Sequence, residues 1–137
     1  MKITNISYQN NYSLEGANNV SISDIDSIPN FSEAHINISF MNLLSKDQAI
    51  NILSLLCNKL KHNAKLTFRL LDWDQMISNY HNGDLSKDEI CQYISSIKCL
   101  LDRSNIIEIF HKNTDIDIDQ ITFDGSFASY TVIRSKL

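Results

Sequence analysis

A chain of 137 residues with 43% hydrophobic and 20% charged residues has the composition of one globular domain, residues 1–137, and is too short for two ordinary ones. Twelve Lys and Arg against 16 Asp and Glu leave a net charge of −4, which argues against a generic polyanion-binding surface and makes nucleic acid an unexpected partner. Three Gly and one Pro exclude a collagen-like chain and argue against a Gly-rich phosphate loop.

Lys2–Ser7 reads as a short strand, with Ile3 and Ile6 apolar and a polar run behind it. Asn19–Ile25 sets Val20 and Ile22 between polar residues, a strand pattern. Asp26–Glu33 holds the only proline, Pro29, and reads as a loop. His35–Met41 alternates around Ile36, Ile38 and Phe40, giving a third strand. Ser45-Lys46-Asp47-Gln48 matches a capping box, in which Ser45 accepts from a free amide three residues on and Gln48 bonds back. Ala49, Ile50, Leu53, Leu56, Cys57 and Leu60 then recur at helical spacing, and Ile52 and Leu55 widen the face. That predicts a largely buried helix to Lys61, with Lys59 and Lys61 at its carbonyl end and Asn63 as a left-handed exit residue.

Ala64–Leu71 is the best strand in the chain, with Leu66, Phe68 and Leu70 on one face. Asp72 can cap a short helix carrying Trp73, Met76, Ile77 and Tyr80, which stops at Asn82-Gly83. Ser86-Lys87-Asp88-Glu89 is a second capping box, opening a helix with Ile90, Cys91, Ile94, Ile97, Leu100 and Leu101 and a break near Ser95-Ser96. Ile106–Phe110 reads as a strand, Asp124-Gly125 as a turn, and Phe127–Ile133 as the last strand. Strands alternating with amphipathic helices predict an α/β fold with a mostly parallel sheet, whose final two strands, lacking a helix between them, pair antiparallel.

No apolar core of signal-peptide length follows Met1-Lys2, and no run approaches the roughly 18 apolar residues of a membrane helix. Cys57, Cys91 and Cys99 are odd in number and fall in predicted helices, so buried free thiols and a cytoplasmic location are expected.

The order of these segments resembles a compact class I S-adenosylmethionine-dependent methyltransferase, over nearly the whole chain. Lys2–Asn11, KITNISYQNN, sits where that family has a strand running into a Gly-rich loop. Glu15–Asp24, EGANNVSISD, is similar to the family's "EGYINVDIS", and Asp26–Pro29, DSIP, to its "DLP" turn. Leu60–Phe68, LKHNAKLTF, resembles "LKPGGKLTI"; Leu71–Asp74, LDWD, follows where the family has "PD". Ile97–Ile109 is similar to the late helix and strand around "LLEEAGF", and Tyr130–Lys136 to the closing strand. The resemblance implies a Rossmann-like sheet with an antiparallel last strand. A third family strand has no room between the second and fourth, so the sheet is expected to be trimmed at that edge.

The pocket positions implied by the resemblance have lost their chemistry. The first loop, Ser7-Tyr8-Gln9-Asn10-Asn11, has no glycine to let a cofactor approach the backbone. Ser21 stands where a carboxylate would accept both ribose hydroxyl protons, and Asp24 serves only in another register. Phe40-Met41-Asn42-Leu43-Leu44 replaces the family's "HVLEH". Open parallel sheets bind ligands at the carboxyl ends of their strands, and these ends carry Tyr8, Ser21, Phe40-Met41 and Trp73. The expectation is a pseudoenzyme without cofactor or catalytic residues, acting through a protein partner (an active methyltransferase, or a second copy). An active S-adenosylmethionine-dependent enzyme acting on a small molecule or glycan is the alternative reading, with Asp72, Trp73 and His81 as substrate-side candidates; an unrelated interaction module is the third.

Other motifs carry less. Asp115, Asp117 and Asp119 begin like a calcium loop, but Gln120 and Ser126 stand where it needs Gly and Glu, so an edge strand or loop is expected. His35, His62, His81 and His111 show no metal-ligand spacing, and no metal is expected. Asp124-Gly125-Ser126-Phe127-Ala128 lacks the second glycine of a nucleophile elbow. Lys59, Lys61, His62, Lys65 and Arg69 form a local basic group without a stacking platform and read as a solvated helix end and strand edge.

Overall fold

The computed structural model of the chain describes residues 2–8, 11–97, 101–112 and 115–135. Gln9, Asn10, Cys99, Leu100 and Lys136, named above, lie outside them. Six strands, β1 (Thr4–Ser7), β2 (Asn18–Ser21), β3 (Glu33–Ile38), β4 (Leu60–Leu71), β5 (Ile116–Asp124) and β6 (Phe127–Arg134), form one sheet in the order β2-β1-β3-β4-β6-β5. β2, β1, β3 and β4 pair parallel, and β6 runs antiparallel between β4 and β5. The helices are α1 (Lys46–Lys59), α2 (Trp73–His81), α3 (Lys87–Ser96) and α4 (Arg103–His111). Among the described residues none is long and apolar enough to cross a membrane.

Local chemistry sets most of these boundaries. Both capping boxes form: Ser45 accepts from the Gln48 amide at 3.3 Å and Ser86 from the Glu89 amide at 3.1 Å, each with the reciprocal bond. The α3 helix stops at Ser96, near the predicted break. The segment predicted as strand Ile106–Phe110 is instead the helix α4. Asp102 accepts from the Asn105 amide at 2.8 Å and Asn105 returns the bond, a box whose Asn at the third position hides it from the usual pattern. Ile106 and Phe110, four apart, bury the same face of that helix. The antiparallel pair at the end is therefore β5 and β6, joined through Asp124-Gly125-Ser126-Phe127, and Asp115–Asp119 lies at the start of the edge strand. Two strands end early, the second at Ser21 before a 3₁₀ turn (Ile22–Ser27) and the third at Ile38 before another (Met41–Leu43). Asn63 does have positive φ (62°), but at an irregularity inside β4 where the register with β3 shifts, since α1 already ends at Lys59.

The sheet's two faces differ. Ile6, Ile36, Ile38, Leu66, Phe68, Tyr130 and Val132 face one core with Leu53, Leu56, Cys57 of α1 and Ile106, Phe110 of α4. The other face carries Asn5, His35, Asn37, Lys65, Thr67, Arg69, Ser129 and Thr131 in register. Their side chains chain together: Thr67 Oγ1 donates to Asn37 Oδ1, Asn37 Nδ2 to Asn5 Oδ1, and Asn5 Nδ2 to Asn19 Oδ1, each at 2.9 Å. His35 joins at 3.3 Å from Thr67, its imidazole held below its ordinary pKa by burial and by Lys65. The α2–α3 pair touches this face only at one end, where Leu71, Met76 and Leu85 cluster with Phe127 and Tyr93.

The thiols part company with expectation: Cys57 is buried, but Cys91 is exposed on α3. Burial pushes the Cys57 thiol up to about 12, with the Arg134 guanidinium pulling the other way. Arg134 is itself buried and donates to the Cys57 carbonyl at 2.6 Å, a cation at the last turn of α1. Above about pH 9, the ordinary value, the unfolded thiol ionises while the folded one stays neutral to about 12. Its contribution is thus intact below 9 and lost as pH rises through 12. Urea midpoints at pH 8 and 10.5 should fall farther for the natural chain than for Cys57→Ala.

Candidate functional site

The strand order reverses at β1, since the chain leaves β1 for β2 on one side and β3 for β4 on the other. The crevice of an open α/β sheet lies at such a point, outside the carboxyl ends of the two strands. Here that position belongs to Tyr8, just past β1, and Phe40, just past β3. Phe40 is buried, and the rings of Tyr8 and Tyr12 lie against it at 5.3 and 5.8 Å between centroids. Tyr12 reaches Phe40 from a backbone with φ of 62°. That residue was not singled out in the sequence, because its partner in space is 28 positions away.

The loop between β1 and β2 is held closed by its own bonds. Tyr8 and Asn11 exchange two backbone hydrogen bonds of 3.0 Å. Asn5 donates to the Tyr12 carbonyl at 2.8 Å. Asn19 accepts from the Leu14 amide at 2.9 Å and donates to the Leu14 carbonyl at 3.0 Å. These bonds engage the backbone of Tyr8, Asn11 and Leu14 and the carbonyl of Tyr12. Ser7, at the end of β1, is buried with its hydroxyl 3.4 Å from the Val20 carbonyl. Ser21, at the end of β2, has its hydroxyl 3.1 Å from that of Ser23. Tyr8, Phe40, Ser7 and Ser21 thus put aromatic rings and neutral hydroxyls at these strand ends, and Asp24 is exposed three residues past β2 in the 3₁₀ turn.

The substrate-side candidates divide. Asp72 is buried at the N-terminus of α2, caps it by accepting from the Gln75 amide at 3.0 Å, and accepts two bonds from Arg103 at 2.8 and 3.3 Å. Its acceptor capacity goes to the fold. Asp72, Trp73, Asp102 and Arg103 line a cavity of about 230 Å³. His81 is exposed in the last turn of α2, tilted against Tyr80, and does not join them. Arg103, which connects α4 to the end of β4, went unnoticed in the sequence because its segment read as lying beside a strand. A second cavity of about 710 Å³ runs between α1 and α4, floored by Leu53, Cys57 and Phe110. Neither cavity is lined by Tyr8, Ser21 or Phe40.

The remaining motifs resolve simply. Among the described residues no group of three His, Cys, Asp or Glu could hold a metal ion. Asp117 accepts from the Ser135 hydroxyl at 2.9 Å, and Asp115 lies 3.9 Å from Arg134. The basic group is dispersed: Lys59 is buried and donates to Asn30, Lys61 and His62 are exposed, and Arg69 covers the Phe127 ring at 4.2 Å.

A sheet of this order, with a switch point between its first and third strands, places the chain among Rossmann-like α/β domains. Within that class the fold is class I methyltransferase-like. A SAM-dependent methyltransferase from Archaeoglobus fulgidus superposes with a TM-score of 0.66 at 12% identity, over 96% of this chain and 85% of that one. A SAM-dependent methyltransferase from Thermotoga maritima, a possible histamine N-methyltransferase, gives 0.63 at 10% identity, over 97% and 82%. The plantazolicin methyltransferase BpumL in complex with SAH gives 0.62 at 13% identity, over 98% and 76%. No protein-family model and no curated protein matches the sequence.

Proposed function

We propose that this chain is a non-catalytic methyltransferase-like protein that acts through protein contacts, as a partner or regulatory subunit of an active methyltransferase. The observation that carries the reading is the ring cluster of Tyr8, Tyr12 and Phe40 at the switch point. A nucleoside held there needs backbone within reach and a carboxylate across from it for the ribose hydroxyls. Side chains of this bulk, a loop bonded to itself and a serine at the end of β2 meet neither need. S-adenosylmethionine does not fit these residues. Absence of a carboxylate matters most, because a hydrogen bond to an ionised acceptor contributes about 1.5–3 kcal/mol where a neutral one contributes about 1.

Calorimetric titration with S-adenosylmethionine tests the reading. No saturable heat is expected; a micromolar dissociation constant would overturn it in favour of an active methyltransferase on a small molecule or glycan. Tyr8→Gly should also fail to bind in the same titration, since removing one ring leaves Ser21 unchanged. Saturable binding by that variant would mean that the loop alone closes the crevice.

A further inference from the structure

Asn82-Gly83, where α2 stops, is the only Asn-Gly pair in the chain. Such a pair carries a latent reaction: the next backbone nitrogen is within a five-membered ring's reach of the side-chain carbonyl carbon, and no Cβ stands beside it. The surrounding structure decides whether that reaction can run. Several asparagines are tied down by their side chains: Asn5, Asn19 and Asn37 in the row across the sheet, Asn42 to the Leu71 amide, and Asn79 to the Ser126 hydroxyl. Asn82 is exposed, and its side chain makes no hydrogen bond to any described residue. It lies just past the last turn of α2, with φ of −82° and ψ of −2°. The Gly83 N–H, whose nitrogen would be the nucleophile, donates to the Tyr80 carbonyl at 3.2 Å, the long end of the hydrogen-bond range. Gly83 has φ of 79°, and the space around it is open. Ring closure needs Asn82 to rotate away from ψ near zero and that one bond to open, both local events at an exposed helix end.

We propose that Asn82-Gly83 is a self-modification site. The Gly83 amide gives up its proton to solvent, and its nitrogen attacks Asn82 Cγ. The new N–Cγ bond forms as the bond to the side-chain NH2 breaks, and ammonia leaves, taking a proton back from solvent. Water then opens the cyclic imide at either carbonyl. One opening leaves aspartate at position 82; the other leaves isoaspartate, with an extra methylene in the main chain. Only water is consumed, and one negative charge is added to the chain's net −4. That carboxylate sits at the carbonyl end of α2, where negative charge is unfavourable. The isoaspartate link also displaces the Gly83 and Asp84 amides from the Tyr80 and Asn79 carbonyls that they now meet at 3.2 and 2.9 Å. Those bonds close the turn into Leu85, which packs with Leu71 and Met76. Modification therefore loosens α2 from the end of the sheet, and it does so whether or not the chain has a partner.

The full chain, kept at 37 °C and pH 7.4 and sampled over weeks, tests this by tryptic digestion and electron-driven fragmentation, which tells aspartate from isoaspartate. Cleavage after Arg69 and Lys87 gives the peptide 70–87, which holds both Asn79 and Asn82, so one spectrum compares them. Asn82 should convert at least tenfold faster than Asn79 and ahead of every other asparagine, with isoaspartate the larger product. The rate should be higher at pH 8.5 than at pH 6, because the attacking amide must lose its proton. Gly83→Asn, a residue that tolerates positive φ, should slow conversion at least fivefold. Conversion at another asparagine before Asn82, or an unchanged rate in Gly83→Asn, would overturn the proposal. Hydrogen exchange reads the consequence: α2 amides should exchange at least fivefold faster in the isoaspartate form, and less so in Asn82→Asp, which has the charge without the extra methylene. Unchanged exchange in the isoaspartate form would overturn the link to α2.

Discussion

Phe68→Ala should lower the unfolding free energy by about 4 kcal/mol, the cost of emptying a large buried aromatic site. The Phe68 ring lies in the middle of β4, stacked on Tyr130 of β6 at 5.1 Å with planes only 10° apart, and 6.0 Å from Phe110 of α4. It therefore joins the central parallel strand, the antiparallel strand and the last helix at one point. Phe68→Leu, which keeps most of the volume, should cost less than half as much. Urea denaturation of the three proteins checks the order. A loss below about 1.5 kcal/mol for the alanine variant would mean that the ring contacts are not made in solution.

Arg103→Leu should be nearly as damaging, at about 3 kcal/mol, and more so than Asp72→Asn. The asymmetry follows from burial. The Asp72 side chain is 2% exposed and that of Arg103 34%, so losing the arginine strands a carboxylate that cannot reach water, whereas losing the carboxylate frees a guanidinium that can. Asp72→Asn keeps an oxygen for the Gln75 amide and so retains the α2 cap. The double variant should cost less than the two single ones together, since both break one pair. Equal midpoints for the single variants would refute the asymmetry.

How much of this was legible beforehand depended on whether the information was local. Capping boxes at Ser45 and Ser86, the cap at Asp72 and the alternation of Ala64–Leu71 are written within a few residues, and those elements formed where expected. The helix from Arg103 to His111 was misread as a strand because Ile106, Ile107 and Ile109 are β-branched. Tertiary burial of Ile106 and Phe110, together with the Asp102 cap, overrode that preference. Ser7, Tyr8, Ser21 and Phe40, the positions the resemblance points to, do lie at or just past the ends of β1, β2 and β3. Tyr12 could not be placed, because only the closed loop carries it to Phe40. Asp72 caps α2 as its sequence context predicts, but its pair with Arg103 was not legible, since nothing near it in sequence announces that partner.

The hydrogen-bonded row from Thr67 through Asn37 and Asn5 to Asn19 limits this domain's future as well as describing its present. A helical layer laid over that surface would have to bury the amide and hydroxyl groups of Asn19, Asn37 and Thr67, which are now at least partly exposed, at about 1–3 kcal/mol for each left unmet. Adding such a layer would demand several coordinated replacements across the four neighbouring strands β2, β1, β3 and β4 before the first one brought any benefit.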